Sequence, residues 1–435
     1  FSLSSWIDLY GVNVEMPILV QYLPEGWALP SYSGIFGSIA NIGPLVYAAI
    51  AVLCPGNAKT RETFTIYFII CSGAVTCILL SLFWDQTAFL WGAERSVAFF
   101  AMVFFLEFVD CTSCVVFLPF MSRFKASYMP SFMAGEEMGG MISGLVGLIQ
   151  GVGGEPVCTN ITKEVFNETG DYYYNLTTME PQLTPPRFSV SAFFIFLFCI
   201  MCLSAISFTL LNYTQYCQKE MTQTDCAQKK YEEQETMISK NAKIELNENV
   251  AENEEIGAIK IETTWIQKLR FPILVFYFAY ASFFMYGLSS AVMSYAVLPY
   301  GYFEYNLSLR LSTLIKPLAA LSTSVLETSS LAVIGGCILV ANGMSFFSLY
   351  LALMSPDPPL AGADAGSIMV VIVGVTMTTF YSYARTSTVT LLRKEGGHRG
   401  LLWAGFSVQA GAFLGTILGF LLVNVFEIFK DKPRC

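Results

Sequence analysis

Apolar side chains run along this chain in long blocks, each closed by a short polar stretch. A helix needs about 20 apolar residues to cross the roughly 30 Å hydrocarbon core of a bilayer. Runs of that kind lie at Phe1–Leu23, Tyr32–Leu53, Phe64–Trp84, Ser96–Phe120, Ser131–Val152, Phe188–Leu211, Phe271–Leu298, Asn306–Leu326, Ser330–Met354, Gly366–Leu392 and Gly400–Phe426, eleven in all. The first is the weakest, because it holds Asp8, Glu15 and Pro17. The chain opens on Phe1 without a Met, so a few native residues are expected before it. Neither a basic n-region nor a small-residue cleavage site marks a signal peptide. The pattern predicts an all-α polytopic membrane protein with eleven transmembrane helices.

The largest interruption is rich in Glu, Lys, Gln and Asn, and such a segment cannot bury enough apolar area to offset its ordering entropy. The expected organisation is residues 1–212 as a half with six helices, 213–270 as a mostly disordered, acidic cytosolic linker, and 271–435 as a half with five. Composition agrees with a membrane protein. Hydrophobic residues make up 54% and charged residues 13%, against about 25% charge in a soluble domain; mean hydropathy is +0.55. The net charge of −9 argues against a nucleic-acid partner.

Short-loop Lys and Arg set orientation. One set of connections holds Lys59, Arg61, Arg123, Lys125, Arg393, Lys394 and Arg399; the other holds only Arg95, Lys163 and Arg187. The first set is expected in the cytosol, which puts the N-terminus inside and the C-terminus outside. Three glycosylation sequons, at Asn160, Asn167 and Asn175, fall in the loop between the fifth and sixth runs, on the expected outside.

An ionisable group in hydrocarbon usually faces a bundle interior or a wet cavity. The candidates are Asp8, Glu15, Glu107, Asp110, Glu136, Glu137, Arg310, Lys316 and Arg385. If two halves pack so that helices 1, 4, 7 and 10 line a central cavity, Glu15, Glu107, Asp110 and Arg385 would point to common space. Helices 5 and 8 would meet between halves, where Glu136 or Glu137 would neutralise Arg310 or Lys316. The alternative is that these are buried ion pairs that only fix helix register. Tyr10-Gly11 in the first run and Tyr286-Gly287 in the seventh are followed two residues later by Asn13 and Ser289. This weak internal match suggests parallel repeats, with glycine permitting bending and close ligand approach and tyrosine offering a flat face.

Soluble-enzyme chemistry finds little here. The single His, His398, lies in a basic loop and reads as a solvated residue. Cys111 and Cys114 fall mid-helix and read as packing; no Walker A motif is present, so ATP is not expected to drive the protein. Cys158 and Cys435 both fall on the expected outside, where they would be bridged, unpaired or joined to another chain.

The run Trp6 to Pro17, Leu23-Pro-Glu-Gly-Trp27-Ala-Leu-Pro-Ser-Tyr32 and Ala40-Asn41-Ile-Gly-Pro44 resemble the eukaryotic riboflavin transporters, solute carrier family 52. So do Asp110-Cys-Thr-Ser113, Phe117 to Arg123, Gly135-Glu136, Gln150 to Gly153, Pro299 to Gly301, Pro317 to Ala319, Met354 to Pro356, Ser382-Tyr383 and Leu402 to Gln409. The resemblance runs nearly end to end, except in the central linker. It implies a plasma-membrane carrier of major-facilitator-like fold in the lipid bilayer, a monomer that takes up riboflavin by alternating access without ATP or a cofactor. Riboflavin is a neutral flat ring with a ribityl chain, so its pocket would stack the ring on aromatics and meet its edge with amides and hydroxyls. Trp6, Tyr10, Asn13, Glu15, Asn41, Tyr286, Ser289 and Met293 are the candidate substrate contacts, and Asp110, Glu136, Lys316 and Arg385 the candidate coupling or ion-pair residues.

The chain departs from the family pattern. Members carry Asn at Tyr10 and Tyr286, Trp at Asn13, Gln at Met293 and Asn at Lys316, and a Cys near Asp357 that is missing here. Two competing readings follow: a carrier of the same fold for another flat heterocycle, such as a nucleoside or pterin, or a cell-surface receptor with no transport cycle.

Overall fold

The computed structural model describes residues 1–26, 29–53, 57–90, 92–151, 157–166, 173–182, 185–221 and 269–430. Most of the expected linker and Cys435 lie outside these residues, as does Asn167.

The described residues are mostly helical. The helices are α1 (Ile7–Tyr22), α2 (Leu29–Ala40), α3 (Ile42–Leu53), α4 (Ala58–Phe83), α5 (Val97–Phe120), α6 (Met129–Gln150), α7 (Val190–Tyr213), α8 (Leu269–Val297), α9 (Tyr302–Ser322), α10 (Leu331–Leu353) and α11 (Asp364–Phe420). Their ends follow local chemistry. The residue after α1, Leu23, is extended and precedes Pro24, which disfavours further helix. Asn57 and Ser189 cap α4 and α7 through their side chains, accepting from Lys59 N at 3.1 Å and Ala192 N at 3.2 Å. Gly151 ends α6 with φ 98°, a left-handed conformation that suits glycine.

Seven helical stretches among the described residues, α2 with α3 taken as one, are both long and apolar enough to cross a membrane. The remaining expected runs are helical but differ in character. α1 is 16 residues long, and α6 and α9 carry buried or half-buried charges. The runs at Gly366–Leu392 and Gly400–Phe426 form one element, α11, broken at Gly397 where φ is 51°.

Two short antiparallel hairpins interrupt the helices: β1 (Ala88–Leu90) with β2 (Ala93–Arg95), and β3 (Val157–Phe166) with β4 (Tyr173–Gln182). The second was not foreseen in the sequence, and Cys158, Asn160 and Asn175 lie on its strands.

In the N-terminal group α4 packs on α5 and α7, and α1 on α6; in the C-terminal group α11 packs on α8, α9 and α10. The groups meet along α6 with α9 and α5 with α11. Small residues allow these seams: a Cβ at Gly405 would fall 2.4 Å from the Cys114 carbonyl oxygen on α5.

The buried core has a telling shape. One apolar cluster runs through the N-terminal group and into Leu274, Phe278, Ile334, Ile338, Ala384 and Val389 of the C-terminal group. A separate cluster holds Phe284, Leu288, Val292, Ala341, Leu351, Val370 and Met377. The groups therefore share a core that includes the end near Arg123 and Arg393, while the second cluster is confined to the C-terminal group.

Candidate functional site

Between the groups, α1, α6, α8, α9 and α11 converge on one buried carboxylate. Tyr286 donates its hydroxyl to Glu137 Oε1 at 2.8 Å, and Arg385 Nη1 donates to the same oxygen at 3.0 Å. The Arg385 guanidinium also touches the Tyr286 hydroxyl and lies 4.5 Å over its ring, a cation–π arrangement. Lys316 Nζ stands 3.9 Å from Glu137 Oε2 and 5.8 Å from the Tyr286 ring centre. Glu137 and Arg385 side chains are 3% and 2% exposed, so this is a fully desolvated pair. Tyr10 lies in the same layer, beside Gly140 on α6 and across from Thr313 on α9.

The expectation of Glu136 or Glu137 against Arg310 or Lys316 thus narrows to Glu137, with Arg385 as its closer partner. Glu136, one step along the helix, turns toward Trp6 and the Cys114 region while staying within electrostatic reach of Arg385. Tyr286 sits in a π-helical turn, Phe283–Leu288, and such turns widen a helix locally.

Other expected contacts go elsewhere. Ser289 faces into its own group, with its Oγ 3.3 Å from that of Ser345; the chain continues through Tyr381 and Asn342 to Tyr280. Met293 and Ser289 border a void of about 10 Å³, room for about one water and not for a ring system. Asn41 Nδ2 donates to the Gly37 carbonyl at 3.1 Å, at the break between α2 and α3. Glu15 is fully buried near Gln150. Asp110 does not share space with Arg385; it is buried against Asp8 inside the N-terminal group, with Glu107 nearby. The two mid-helix glycines seat helices: a Cβ at Gly11 would meet Leu197 at 2.2 Å, and one at Gly287 would meet the Gly415 Cα at 2.4 Å.

Beyond the charged layer α1 keeps one partly exposed face. Tyr10, Asn13, Val14, Pro17 and Gln21 are the half-buried or exposed positions from Tyr10 to Gln21, and their spacing puts them on one face of α1. Tyr10 shows that this face looks toward the C-terminal group. Gly144, one turn along α6 from Gly140, meets nothing within 4 Å of a Cβ.

At the other end the groups are tied together, a feature missed in the sequence. Arg123 pairs with Glu62 at 2.8 Å and donates to the Lys59 carbonyl at 2.7 Å and the Thr63 hydroxyl at 3.0 Å. His398 Nε2 contacts Glu62 Oε1, and Arg393 donates to the carbonyls of Ser122 and, at 2.7 Å, Phe124. His398 is therefore a partnered residue between groups rather than a solvated loop residue, although 46% of its side chain stays exposed. The one signal for it was its place among clustered Lys and Arg.

Comparison with known proteins bears on this arrangement. A structure of the Major Facilitator Superfamily transporter FucP, in the outward conformation, superposes with a TM-score of 0.52 at 12% identity, covering 98% of this chain and 91% of that one. A bacterial homologue of the iron transporter ferroportin, in an outward-facing state, gives 0.50 at 11% identity, covering 98% and 90%. These likenesses show the fold. In sequence, the chain is 34% identical to solute carrier family 52, riboflavin transporter, member 3-A of Danio rerio, over 100% of this chain and 96% of that one. It is 32% identical to riboflavin transporter rft-1 of Caenorhabditis elegans, over 100% and 97%. The profile of "Solute carrier family 52, riboflavin transporter" matches residues 1–431. These relatives and structural neighbours are transporters, not enzymes, and the chain belongs to solute carrier family 52, the riboflavin transporters.

Proposed function

We propose that this chain is a plasma-membrane riboflavin uptake transporter working by alternating access without ATP. The observation that carries the reading is an interface between two helical groups tied at one end by His398 and Glu62, with Tyr10 and Tyr286 meeting in its middle and a partly exposed face of α1 beyond them. The names of the relatives supply the substrate. The tyrosine rings would stack a flat isoalloxazine, and exposed Asn13 would meet its polar edge. Trp6, Glu15, Asn41, Ser289 and Met293 would shape the surrounding helices. Glu137 with Arg385 and Lys316 would couple the groups, with Glu136 and Asp110 as further coupling carboxyls.

In this reading the chain is a monomer that crosses the bilayer eleven times, six and five on either side of an acidic cytosolic linker. The bend at Gly397 turns α11 into two crossings. The basic end is cytosolic, the N-terminus lies inside and the C-terminus outside. The β3–β4 hairpin with its sequons is extracellular, and Cys158 and Cys435 would be bridged there. The charged layer around Glu137 favours a second reading, a more polar flat heterocycle such as a pterin or nucleoside. Uptake of labelled riboflavin by cells expressing the chain, with lumiflavin, a pterin and a nucleoside as competitors, tests both. Saturable uptake blocked by lumiflavin is expected; no saturable uptake at any pH would remove the riboflavin reading.

A further inference from the structure

The tie at the basic end is built from four side chains. Arg123 holds Glu62 within the N-terminal group at 2.8 Å. Arg393 crosses between groups to the carbonyls of Ser122 and Phe124. His398 crosses to Glu62. The geometry of the last contact is set by backbone: Gly397 takes φ 51°, and a Cβ at Gly400 would fall 2.1 Å from the Leu392 carbonyl oxygen. The turn is therefore tight, and it presents His398 to α4. Access from this end to the layer of Tyr10 and Tyr286 requires these contacts to part.

Three of the four side chains keep their charge across the physiological range, but histidine changes its own between about pH 5 and 8. The charged groups on the elements packed against this turn are Lys59, Arg61 and Glu62 on α4, Arg123 and Lys125 after α5, with Lys125 paired to Glu220 at 2.9 Å, and Arg270 on α8. On its own loop they are Arg393, Lys394, Glu395 and Arg399. Of these, Glu62 is the group His398 touches. Arg270 is paired with Glu395 at 2.7 Å and Lys394 contacts Glu327. An imidazolium facing Glu62 adds attraction across the interface; a neutral imidazole adds at most a hydrogen bond.

We propose that His398 is the gate residue for release of substrate at this end, and that its protonation holds the two helical groups closed there. The direction of release rests on the functional reading above; the closure itself does not. Because the imidazole is half exposed, the effect is modest, about two- to fivefold.

Two measurements on the full-length protein test it. In cells with the external pH fixed and the cytosolic pH clamped, maximal riboflavin influx should rise about two- to fivefold as the cytosol goes from acid to alkaline. The external KM should change less. His398→Gln should be flat at the alkaline rate and His398→Arg flat at the acid rate. A His398→Gln profile that tracks the unaltered protein would overturn the proposal. Hydrogen exchange of segment 393–400 in purified protein, corrected for intrinsic rates, should be slower at acid than at neutral pH and lose that difference in His398→Gln. Equal protection at both pH values would also overturn it. No riboflavin influx by the unaltered protein would sink the transport reading, while the exchange measurement would still decide the gate.

Discussion

Glu137 follows Glu136 by one position, and on a helix that step turns a side chain by about 100°. The turn sends Glu137 to Arg385 and Glu136 toward Trp6. A buried pair contributes little net stability when both partners are present, but removing one leaves an uncompensated charge. Glu137→Ala is therefore expected to lower stability by about 3–5 kcal/mol, read as a fall in the thermal midpoint of purified protein; an unchanged midpoint would show that Arg385 finds water or Glu136 instead. Tyr286 has two separable roles, a ring face and a hydroxyl bound to Glu137. Tyr286→Ala is expected to raise the KM for riboflavin about three- to tenfold by removing the stacking face, and Tyr286→Phe to raise it less. Equal KM values for the two variants and the unaltered protein would remove Tyr286 from the pocket.

At the scale of elements, α8 carries the site because it is irregular. The π-helical turn Phe283–Leu288 ends where Gly287 packs on Gly415 of α11. Both sides of that contact are backbone, so neither can yield by a rotamer change. Gly287→Ala is expected to force the seam apart and to cost about 1–3 kcal/mol. Gly144→Ala on α6, where a Cβ meets open space, should leave the thermal midpoint unchanged. Comparable losses in both variants would mean that the seam is not what Gly287 serves. Tyr10-Gly11 and Tyr286-Gly287 were visible as a repeated pair. Their glycines read as hinges or ligand clearances, since period and spacing say nothing of what faces a missing Cβ. The packing shows helix seams.

For the whole molecule, one core cluster is shared across the groups and a second is confined to the C-terminal group, an arrangement that suits two groups moving apart at one end. Under the proposed orientation, an interface that opens to the extracellular side would expose α1 and α6 to water there. Cysteine placed at Asn13 or at Gly144 is expected to react with a membrane-impermeant thiol reagent from outside, above the background of the native thiols, and saturating riboflavin should slow the reaction. Labelling only from the cytosolic side would reverse the assigned orientation. Absence of labelling from either side would close the hollow.

Hydropathy was enough to make the chain a bundle of membrane helices. Backbone groups in lipid must bond within their own segment, so hydrocarbon-length apolar runs leave little alternative. It also placed the family, through contiguous motifs, and marked Tyr10, Tyr286, Lys316 and Arg385 as polar or aromatic residues in unusual surroundings. Which of these meet is set by how the helices pack. Asp110 shares a helix with residues near the interface yet turns inward to Asp8, and Ser289 turns away from Tyr286 three residues before it. His398 reaches a carboxylate 336 positions earlier. Such contacts depend on the rotation and crossing of whole helices, and a one-residue shift of either turns a side chain to another face; local pattern constrains which face is apolar, not which distant charge it will find.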